Sequence, residues 1–347
     1  MSQWSVDQAN EWYKQYSWLV GCNFLPSTSI NQLEMFQSET FDRSTIIKEL
    51  TLAKSIGFNS LRVYLHDLLW NEKDAFCKNF DEFLNITNEL DIKPIIVLFD
   101  DCHRSNPVAG KQMLPVLGVH NSGWAQSPGY KIVKEIHDKN FIEVERLKKF
   151  VQEVLDKYSK DERILMWDIY NEPGQFGNND NSYELLDMTW KWAHEVRPQQ
   201  PLTACLNGSI GKEIIDLNRK NSDIISFHMY ELDKLVPAIN ELQEINRPIF
   251  CTEYMARHFG TTFEASLPIF KKHRIACYNW GLVAGKSQTH FGWETIIEME
   301  KKKKENLYLK AQDPIPEPDL WFHDIFRIDG TAYDLSLIHI SEPTRPY

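Results

Sequence analysis

Short apolar runs recur along the chain of 347 residues, and polar or amphipathic stretches separate them. Most of these runs are continuously apolar and do not alternate between apolar and polar positions. Continuous runs of this length are typical of parallel strands, which are buried on both faces of a sheet. The pattern predicts eight strands, at residues 19–24, 60–65, 94–99, 164–170, 202–206, 224–229, 249–251 and 276–280.

The stretches between the runs carry apolar residues at helical spacing. Four apolar residues fall on one face of residues 44–56, and Gly57 follows as a stop signal. The segments 141–158, 183–196 and 235–245 show the same periodicity. The sequence therefore predicts amphipathic helices that alternate with the strands.

Strands alternating with helices favour an α/β fold in which residues 1–334 form a single-domain (β/α)8 barrel. A closed barrel leaves no strand edge exposed. A doubly wound open sheet is the alternative, but no G-x-G-x-x-G motif follows the first strand. Chain length alone would favour two domains of roughly 100–200 residues, yet barrels of this kind reach this size as one unit.

Two regions after the eighth predicted strand depart from the alternation. Residues 294–306 contain four consecutive lysines. Such charge runs are usually solvated, so we expect an exposed helical insertion in the last loop of the barrel. Pro314, Pro316 and Pro318 then indicate an extended connector.

The final segment, residues 335–347, reads LSLIHISEPTRPY and has no helical periodicity. The last helix of the barrel would lie here. The segment resembles a translated sequencing-adapter read. We therefore predict a non-native tail, with the last barrel helix truncated or replaced by it.

The composition, with 42% hydrophobic and 25% charged residues, is typical of a soluble globular protein. A net charge of -11 argues against nucleic acid or an anionic membrane as the main partner. No apolar run approaches the roughly 18 residues of a membrane span. The 11 tryptophans suit an oligo- or polysaccharide substrate because sugars stack on aromatic rings, although tryptophan also fills cores. We expect a monomer.

The six cysteines include no CxxC pair, so a zinc site or a redox motif is not expected. Five of them fall in or beside predicted strands, which favours buried free thiols that pack as small hydrophobic side chains. Residues 1–11 lack the opening of a secretory signal. The location is left open between the cytoplasm and secretion with the signal removed.

Two glutamates end predicted strands. The segment 167–173 reads WDIYNEP and places Glu172 after the fourth strand, and 248–254 reads PIFCTEY and places Glu253 after the seventh. In a (β/α)8 barrel both positions lie at the C-terminal mouth, where the chemistry occurs. Glycoside hydrolysis requires two carboxyl groups on opposite sides of a sugar bond. One such glutamate is usually a solvated loop residue, and it is the pair that favours catalysis.

With these motifs the chain resembles the large clan of retaining glycosidases that share this barrel, and most closely glycoside hydrolase family 5 with its cellulase-like relatives. The resemblance covers about residues 18–334. It implies that Glu172 is the acid/base, that Glu253 is the nucleophile, and that Asn171 binds the sugar 2-hydroxyl.

Two further residues match through the same resemblance. Arg62, inside the second strand, matches the arginine that orients the nucleophile, and a cation there would lower the pKa of that carboxyl. A structural ion pair is the alternative role for Arg62. His103, after the third strand, matches a substrate-binding histidine only loosely, and a structural or solvent-facing role fits it equally.

His228 and Tyr230 form a His-x-Tyr motif at the end of the sixth strand. The resemblance places the histidine near the acid/base and the tyrosine hydroxyl on the nucleophile. Alternate residues of a strand point the same way, although a plain core pair is the alternative. Trp280 matches the aromatic floor under the sugar at subsite −1, and Trp124 and residues 286–289 are candidates for lining other subsites.

These expectations define a retaining β-glycosidase that works by double displacement and needs no metal or organic cofactor. Endo cleavage of a β-1,4-linked glycan is the first expectation. An exo-acting, β-mannosidase-like enzyme is an alternative, since an insertion at 294–318 could wall off the cleft. A non-catalytic carbohydrate-binding barrel is a second alternative. A metal-dependent hydrolase is disfavoured because the first strand ends in CNF, without a His-x-His pair.

Overall fold

A computed structural model describes residues 3–304 and 316–334 of the protein. Its sheet has eight strands: β1 (Val20–Asn23), β2 (Ser60–Tyr64), β3 (Lys93–Asp100), β4 (Met166–Asn171), β5 (Leu202–Thr203), β6 (Ile225–His228), β7 (Ile249–Tyr254) and β8 (Ala276–Trp280). Their order is β5-β4-β3-β2-β1-β8-β7-β6, and the paired strands are parallel. The predicted (β/α)8 barrel is confirmed.

The barrel is nearly closed between β5 and β6, the two strands at the ends of this order. The backbone N–H of Leu206 donates to the carbonyl of Ser226 across the gap (2.8 Å). The fifth strand was predicted to reach residue 206, but its regular ladder has two residues. On the side that faces β6, the N–H of Ala204 donates to the side-chain hydroxyl of Ser222 (3.3 Å) and not to a backbone carbonyl of β6.

The α-helices of the described residues are α1 (Val6–Lys14), α2 (Gln32–Phe36), α3 (Arg43–Ser55), α4 (Lys73–Glu89), α5 (Tyr130–His137), α6 (Val144–Lys157), α7 (Ser182–Val196), α8 (Lys212–Asn221), α9 (Leu232–Gln243), α10 (Phe263–Lys272) and α11 (Glu294–Lys304). Short 3-10 helices lie at Asp67–Glu72, Asn179–Asn181 and Arg257–Phe259. The four predicted helices correspond to α3, α6, α7 and α9.

The outer helices pack through the amphipathic pattern seen in the sequence. The buried residues of α6 form one stripe at helical spacing; they are Leu147, Phe150, Val151, Val154 and Leu155. Helix α3 begins after Asp42, whose carboxylate accepts a hydrogen bond from the N–H of Thr45 (3.1 Å). This N-cap satisfies a backbone donor that the first turn leaves free.

Helix α1 covers the N-terminal end of the barrel. Its Tyr13 packs on Phe250 of β7, with ring centroids 5.2 Å apart. Just before the helix, the N–H of Trp4 donates to the Asp223 carboxylate (2.6 Å), and the carbonyl of Trp4 accepts from Arg247 (2.8 Å). This end is therefore sealed by packed aromatic side chains, and the functional cleft lies at the opposite end of the strands.

The chain after β8 follows the predicted pattern in part. The expected helical insertion is present as α11. Residues 316–334 form no helix or strand, and they pack on the barrel through buried side chains that include Trp321 and Phe322. The prediction for residues 335–347 falls outside the described residues, as does Pro314 of the connector.

All six cysteines are unpaired and buried, which confirms the prediction made for them. Among the helices of the described ranges, none has the length and apolar character needed to span a bilayer.

The cluster of aromatic side chains between α4 and the barrel gives a stability prediction. Phe80 is fully buried and contacts Phe36, Phe76 and Tyr158, with ring centroids 5.1 to 5.9 Å apart within the cluster. Phe80→Ala removes this packing and should lower the free energy of unfolding by about 3–5 kcal/mol. Urea denaturation followed by circular dichroism measures the change.

Phe141→Ala is the matched control, because its side chain is 47% exposed. It should change the free energy of unfolding by no more than about 0.5 kcal/mol. Equal losses in the two variants would contradict the packing described for Phe80.

Candidate active site

The C-terminal ends of β4, β6 and β7 bring two carboxylates and an imidazole together. Glu172 follows β4, His228 ends β6, and Glu253 lies near the end of β7. One oxygen of each carboxylate and one ring nitrogen of His228 lie within 4.8 Å of one another. Parallel strands of a barrel end at one rim, so these side chains enter the same cleft.

Glu253 accepts hydrogen bonds on both carboxylate oxygens. Its Oε1 accepts from the Arg62 guanidinium and from the Tyr64 hydroxyl (both 2.8 Å), and its Oε2 accepts from the Tyr230 hydroxyl (2.7 Å). Burial alone would raise the pKa of this carboxyl. The charges of His228 and Arg62, with the hydrogen bonds from the two tyrosines, outweigh burial and hold the pKa below its ordinary value. Glu253 is therefore held ionised.

Arg62 is fully buried at the centre of this network. Besides Glu253, it donates to the Asp168 carboxylate (2.8 and 3.1 Å), to Oδ1 of Asn171 (2.7 Å) and to Oδ1 of Asn23 (2.9 Å). A buried guanidinium is stable only when carboxylates and other acceptors surround it. The network thus links β2 to β1, β4 and β7.

Glu172 has different surroundings. Its Oε1 lies 2.6 Å from Nδ1 of His228, and its Oε2 accepts a hydrogen bond from the Cys102 thiol (3.1 Å). Its side chain is 14% exposed, against 6% for Glu253. The backbone of Glu172 has a φ of 46°, in the left-handed region that costs a non-glycine residue roughly 1–3 kcal/mol. Strain of this kind clusters at functional sites, where the surrounding structure enforces it.

Of the remaining predicted polar residues at these strand ends, His228 contacts the pair directly, and Asn171 contacts residues next to it. Nδ1 of His228 lies 3.5 Å from Oε2 of Glu253, so the imidazole touches both carboxylates. The amide of Asn171 donates to Asp100 (2.8 Å), with Cys102 Sγ at 3.7 Å. His228 therefore bonds the carboxylates directly, whereas Asn171 bonds Arg62 and Cys102, which in turn contact them.

His103 and Trp280 line the same cleft but make no contact with the pair that the structure records. The His103 ring packs on Phe176, with centroids 4.3 Å apart, and burial and the neighbouring His120 lower its pKa to about 3. A neutral imidazole in the wall can bond a sugar hydroxyl. Trp280 lies at the end of β8 beside Trp124, with centroids 5.4 Å apart.

Sequence reasoning missed two donors to the pair, Tyr64 and Cys102. Tyr64 stands two positions after Arg62 in β2, so strand alternation places both side chains inside the barrel. The alternation of side chains along β2 was the signal that could have identified Tyr64. Cys102 follows Asp100 in an irregular turn, and nothing in its local sequence distinguished it from the other buried thiols.

Trp124 and residues 286–289 do not line the cleft around the pair. Trp124 is buried, and its indole N–H donates to the Asp100 carboxylate (2.6 Å). Lys286 forms an ion pair with Glu34 (2.7 Å). Trp124 and Lys286 thus connect the loops that surround the mouth of the barrel.

The cleft around the carboxylates has a volume of about 680 Å³. Besides the residues already described, its walls include Trp293, Phe259 and the first turns of α11, through Ile296 and Ile297. The insertion predicted as a solvated helix therefore also forms a wall of the site. A cleft of this size accommodates a sugar ring and part of its leaving group.

Within residues 3–304 and 316–334, one cluster could hold a metal ion by its ligand geometry, and it consists of Glu172, His228 and Glu253. The Arg62 guanidinium lies 2.8 Å from Glu253 and already supplies a positive charge there. The cluster therefore combines two carboxylates and an imidazole with a cation from the protein itself.

An eight-stranded barrel with two closely spaced carboxylates at its mouth has the architecture of a glycosidase. The sequence matches the family model described as cellulase (glycosyl hydrolase family 5) over residues 22–286. This is more than half of the chain, and the chain belongs to glycoside hydrolase family 5. A search of curated proteins found no significant sequence match.

Solved structures of similar fold include an exo-β-1,4-mannosidase from Opitutaceae bacterium strain TAV5, with a TM-score of 0.62 and 15% identity. The match covers 94% of this chain but 59% of that one. A hyperthermostable endo-1,4-β-D-mannanase from Thermotoga petrophila RKU-1 has a TM-score of 0.57 and 13% identity, covering 94% of this chain and 99% of the mannanase. A GH5_18 protein from Streptomyces cattleya, in complex with GlcNAc, has a TM-score of 0.58 and 10% identity, covering 95% and 82%. At sequence identities of 10%, 13% and 15%, the similarity to these structures shows the fold alone.

Proposed function

We propose that the protein is a retaining β-glycosidase in which Glu253 is the nucleophile and Glu172 is the acid/base. The observation that carries the proposal is the short separation of the two carboxylates, which approach within 4.8 Å. Retaining enzymes hold their carboxyl groups roughly 5–5.5 Å apart, whereas inverting enzymes leave roughly 6.5–9.5 Å for a water molecule.

In the first step a carboxylate oxygen of Glu253 attacks the anomeric carbon, and the glycosidic bond breaks. Protonated Glu172 gives its proton to the departing oxygen. In the second step Glu172 takes a proton from water, whose oxygen attacks the same carbon and displaces Glu253. Two inversions leave the configuration unchanged.

The surroundings of the two carboxyl groups support this division of roles. Arg62, Tyr64 and Tyr230 stabilise a charged Glu253, as a nucleophile requires. Glu172 lacks an arginine or lysine among its recorded partners and has more contact with solvent, which suits a group that exchanges protons with water.

The other predicted residues take supporting roles in this proposal. Arg62 and His228 position the carboxylates, and Tyr230 holds the nucleophile. Asn171 keeps its long contact to Cys102 (3.7 Å), which a sugar 2-hydroxyl would replace with a stronger bond. His103 and Trp280 contact the substrate, with the indole forming the floor under the sugar at subsite −1.

A β-1,4-linked oligo- or polysaccharide is the proposed substrate. The support comes from proteins of the same fold, which include an exo-β-1,4-mannosidase, an endo-1,4-β-D-mannanase and a GH5_18 protein in complex with Manβ1-4GlcNAc. The acidic chain, with a net charge of -11, fits a neutral glycan.

The two carboxylates can be assigned by azide rescue. Glu253→Ala should abolish hydrolysis of an activated aryl β-glycoside, and azide should restore turnover by entering the empty space and giving the inverted glycosyl azide. Glu172→Ala should slow substrates with poor leaving groups by about 10²–10⁴-fold, because general acid catalysis is lost. Azide should there yield the azide of retained configuration. NMR of the products gives the configuration.

Glu145→Ala is the matched control, because this glutamate lies exposed on the outer helix α6 and does not line the cleft. It should keep the turnover number of the parent on the aryl glycoside. Parent-like turnover in Glu253→Ala, or exchanged azide configurations, would refute the assignment.

Tyr230→Phe should move the acid limb of the pH profile to higher pH. The tyrosine hydroxyl stabilises the ionised nucleophile, and its loss raises the lowered pKa of Glu253. Because the active form is the carboxylate, activity is then lost at a higher pH as the solution is acidified. A hydrogen bond to a charged group contributes about 1.5–3 kcal/mol, so a shift of about one pH unit or more is expected in kcat/KM.

Tyr130→Phe is the control for this series, because Tyr130 lies exposed at the start of α5. Its pH profile should superimpose on that of the parent. An unshifted acid limb in Tyr230→Phe would contradict the ionised state assigned to Glu253.

A further inference from the structure

The long loop after β3, residues 104–126, crosses the top of the barrel, and we call it the strap. Its ends pair with each other, with the N–H of Arg104 donating to the carbonyl of Trp124 (3.1 Å). On its way it covers the loop after β1, where Asn31 donates to the carbonyl of Gly123 (3.0 Å). The strap therefore runs from β3 across β1 and β2 towards β8.

The tip of the strap is bonded to the loop after β8. The side chain of Gln288 accepts from the N–H of Gly118 and donates to the carbonyl of Val116 (both 2.8 Å). The N–H of Asn121 donates to the carbonyl of Ser287 (2.7 Å). Backbone groups thus join the two loops above β1 and β2.

His120, in the strap, makes further hydrogen bonds to the helical insertion that contains α11. Its N–H donates to the Thr295 hydroxyl (3.0 Å), and its ring nitrogen Nδ1 lies 2.8 Å from the carbonyl of Phe291. His120 also lines the cleft. The strap and the start of α11 therefore form one continuous wall on this side of the carboxylates.

The space behind Trp280 is filled by the strap. Trp124 packs edge-on against both Trp280 and Tyr64, with centroids 5.4 and 4.9 Å away. The cavity left behind Trp280, bordered by Asn121 and Ser287, has a volume of about 10 Å³. That holds about one water molecule and no sugar ring.

The opposite side of the cleft is open. Beside Glu172, the cleft-lining side chain of Phe176 is 46% exposed. Phe176 comes from the loop after β4, beside Glu172. On the strap side, by contrast, His120 and His323 line the cleft and are buried.

The position of Glu172, the proposed proton donor, determines how a substrate lies between these two sides of the cleft. The leaving group departs towards Glu172, and hence towards the open side at Phe176. The sugar that bonds to Glu253 lies on the other side, over Trp280. Any further sugar on its non-reducing side would have to pass through the strap.

We propose that the strap ends the glycone side of the site after a single sugar, so that the enzyme removes one sugar at a time from the non-reducing end of its substrate. Gln288 is the residue that sets this specificity, because its side chain holds the tip of the strap. This inference rests on the proposed function and replaces the expectation of endo cleavage.

Product analysis on oligosaccharides labelled at the reducing end tests the proposal. Aryl β-glucoside, β-mannoside and β-xyloside first identify the accepted sugar, and the β-1,4-linked pentamer of that sugar is then the substrate. Exo action releases unlabelled monosaccharide from the first time point and leaves labelled tetramer, then labelled trimer. Early labelled dimer or trimer without monosaccharide would overturn the proposal.

A blocked pentamer gives the second measurement. A 4-O-benzyl group on the non-reducing terminal sugar occupies the space that the strap fills, so the protein as it stands should cleave this substrate at about 1% of the unblocked rate or less, a difference of at least about 10²-fold. Gln288→Ala should raise the ratio of blocked to unblocked rates about tenfold or more by freeing the strap. Gln152→Ala, on the outer helix α6, should leave the ratio unchanged.

The possible outcomes distinguish a failure of exo action from a failure of the proposed glycosidase function. Hydrolysis of an aryl glycoside together with rapid cleavage of the blocked pentamer would overturn exo action and leave the glycosidase standing. A ratio unchanged in Gln288→Ala would overturn the assignment of the end wall to the strap. No turnover of any aryl glycoside or oligosaccharide would overturn the proposed function, and this inference with it.

Discussion

The buried guanidinium of Arg62 is the interaction on which the site depends. A cation without solvent is costly to bury, by several kcal/mol, unless carboxylates and dipoles replace water. Asp168 supplies one carboxylate from β4 and Glu253 supplies the other from β7. The requirement to compensate Arg62 therefore fixes the same strand ends that hold Glu172 and Glu253.

This arrangement couples folding to chemistry in a specific way. Asn23 and Asn171 bond Arg62 through their side-chain oxygens, so four strands contribute to one polar cluster in the barrel interior. A cluster with every strong donor paired is rigid, and rigidity of Glu253, the proposed nucleophile, would favour attack along one direction. Glu172 lies outside this cluster, and its side chain is more exposed than that of Glu253.

Much of this molecule could be predicted from the sequence because its strands are short, apolar and regularly spaced. The rim positions of Glu172, Glu253, His228 and Tyr230 followed from counting strands. Tyr64 was accessible by strand alternation and was overlooked. The gap between β5 and β6 was not predictable, because there the N–H of Ala204 donates to the hydroxyl of Ser222 and not to a backbone carbonyl of β6.

The loops were the part that sequence patterns could not place. The lysine run of α11 indicated a solvated helix, yet Ile296 and Ile297 of its first turns border the cleft. Likewise, Trp124 looked like a sugar-binding residue and instead packs inside the strap. Loop conformation depends on partners distant in sequence, and a local pattern carries no information about them.

Helix α1 shows how late in synthesis this barrel becomes complete. The first described residues reach their partners only on segments made much later, because Trp4 bonds Asp223 and Arg247. Tyr13 likewise needs Phe250 of β7. During translation the apolar face of α1 must therefore stay exposed to water or to chaperones until the chain has been made as far as Phe250 of β7. Long-range contacts of this kind also make refolding slow compared with a protein of similar size built from local contacts.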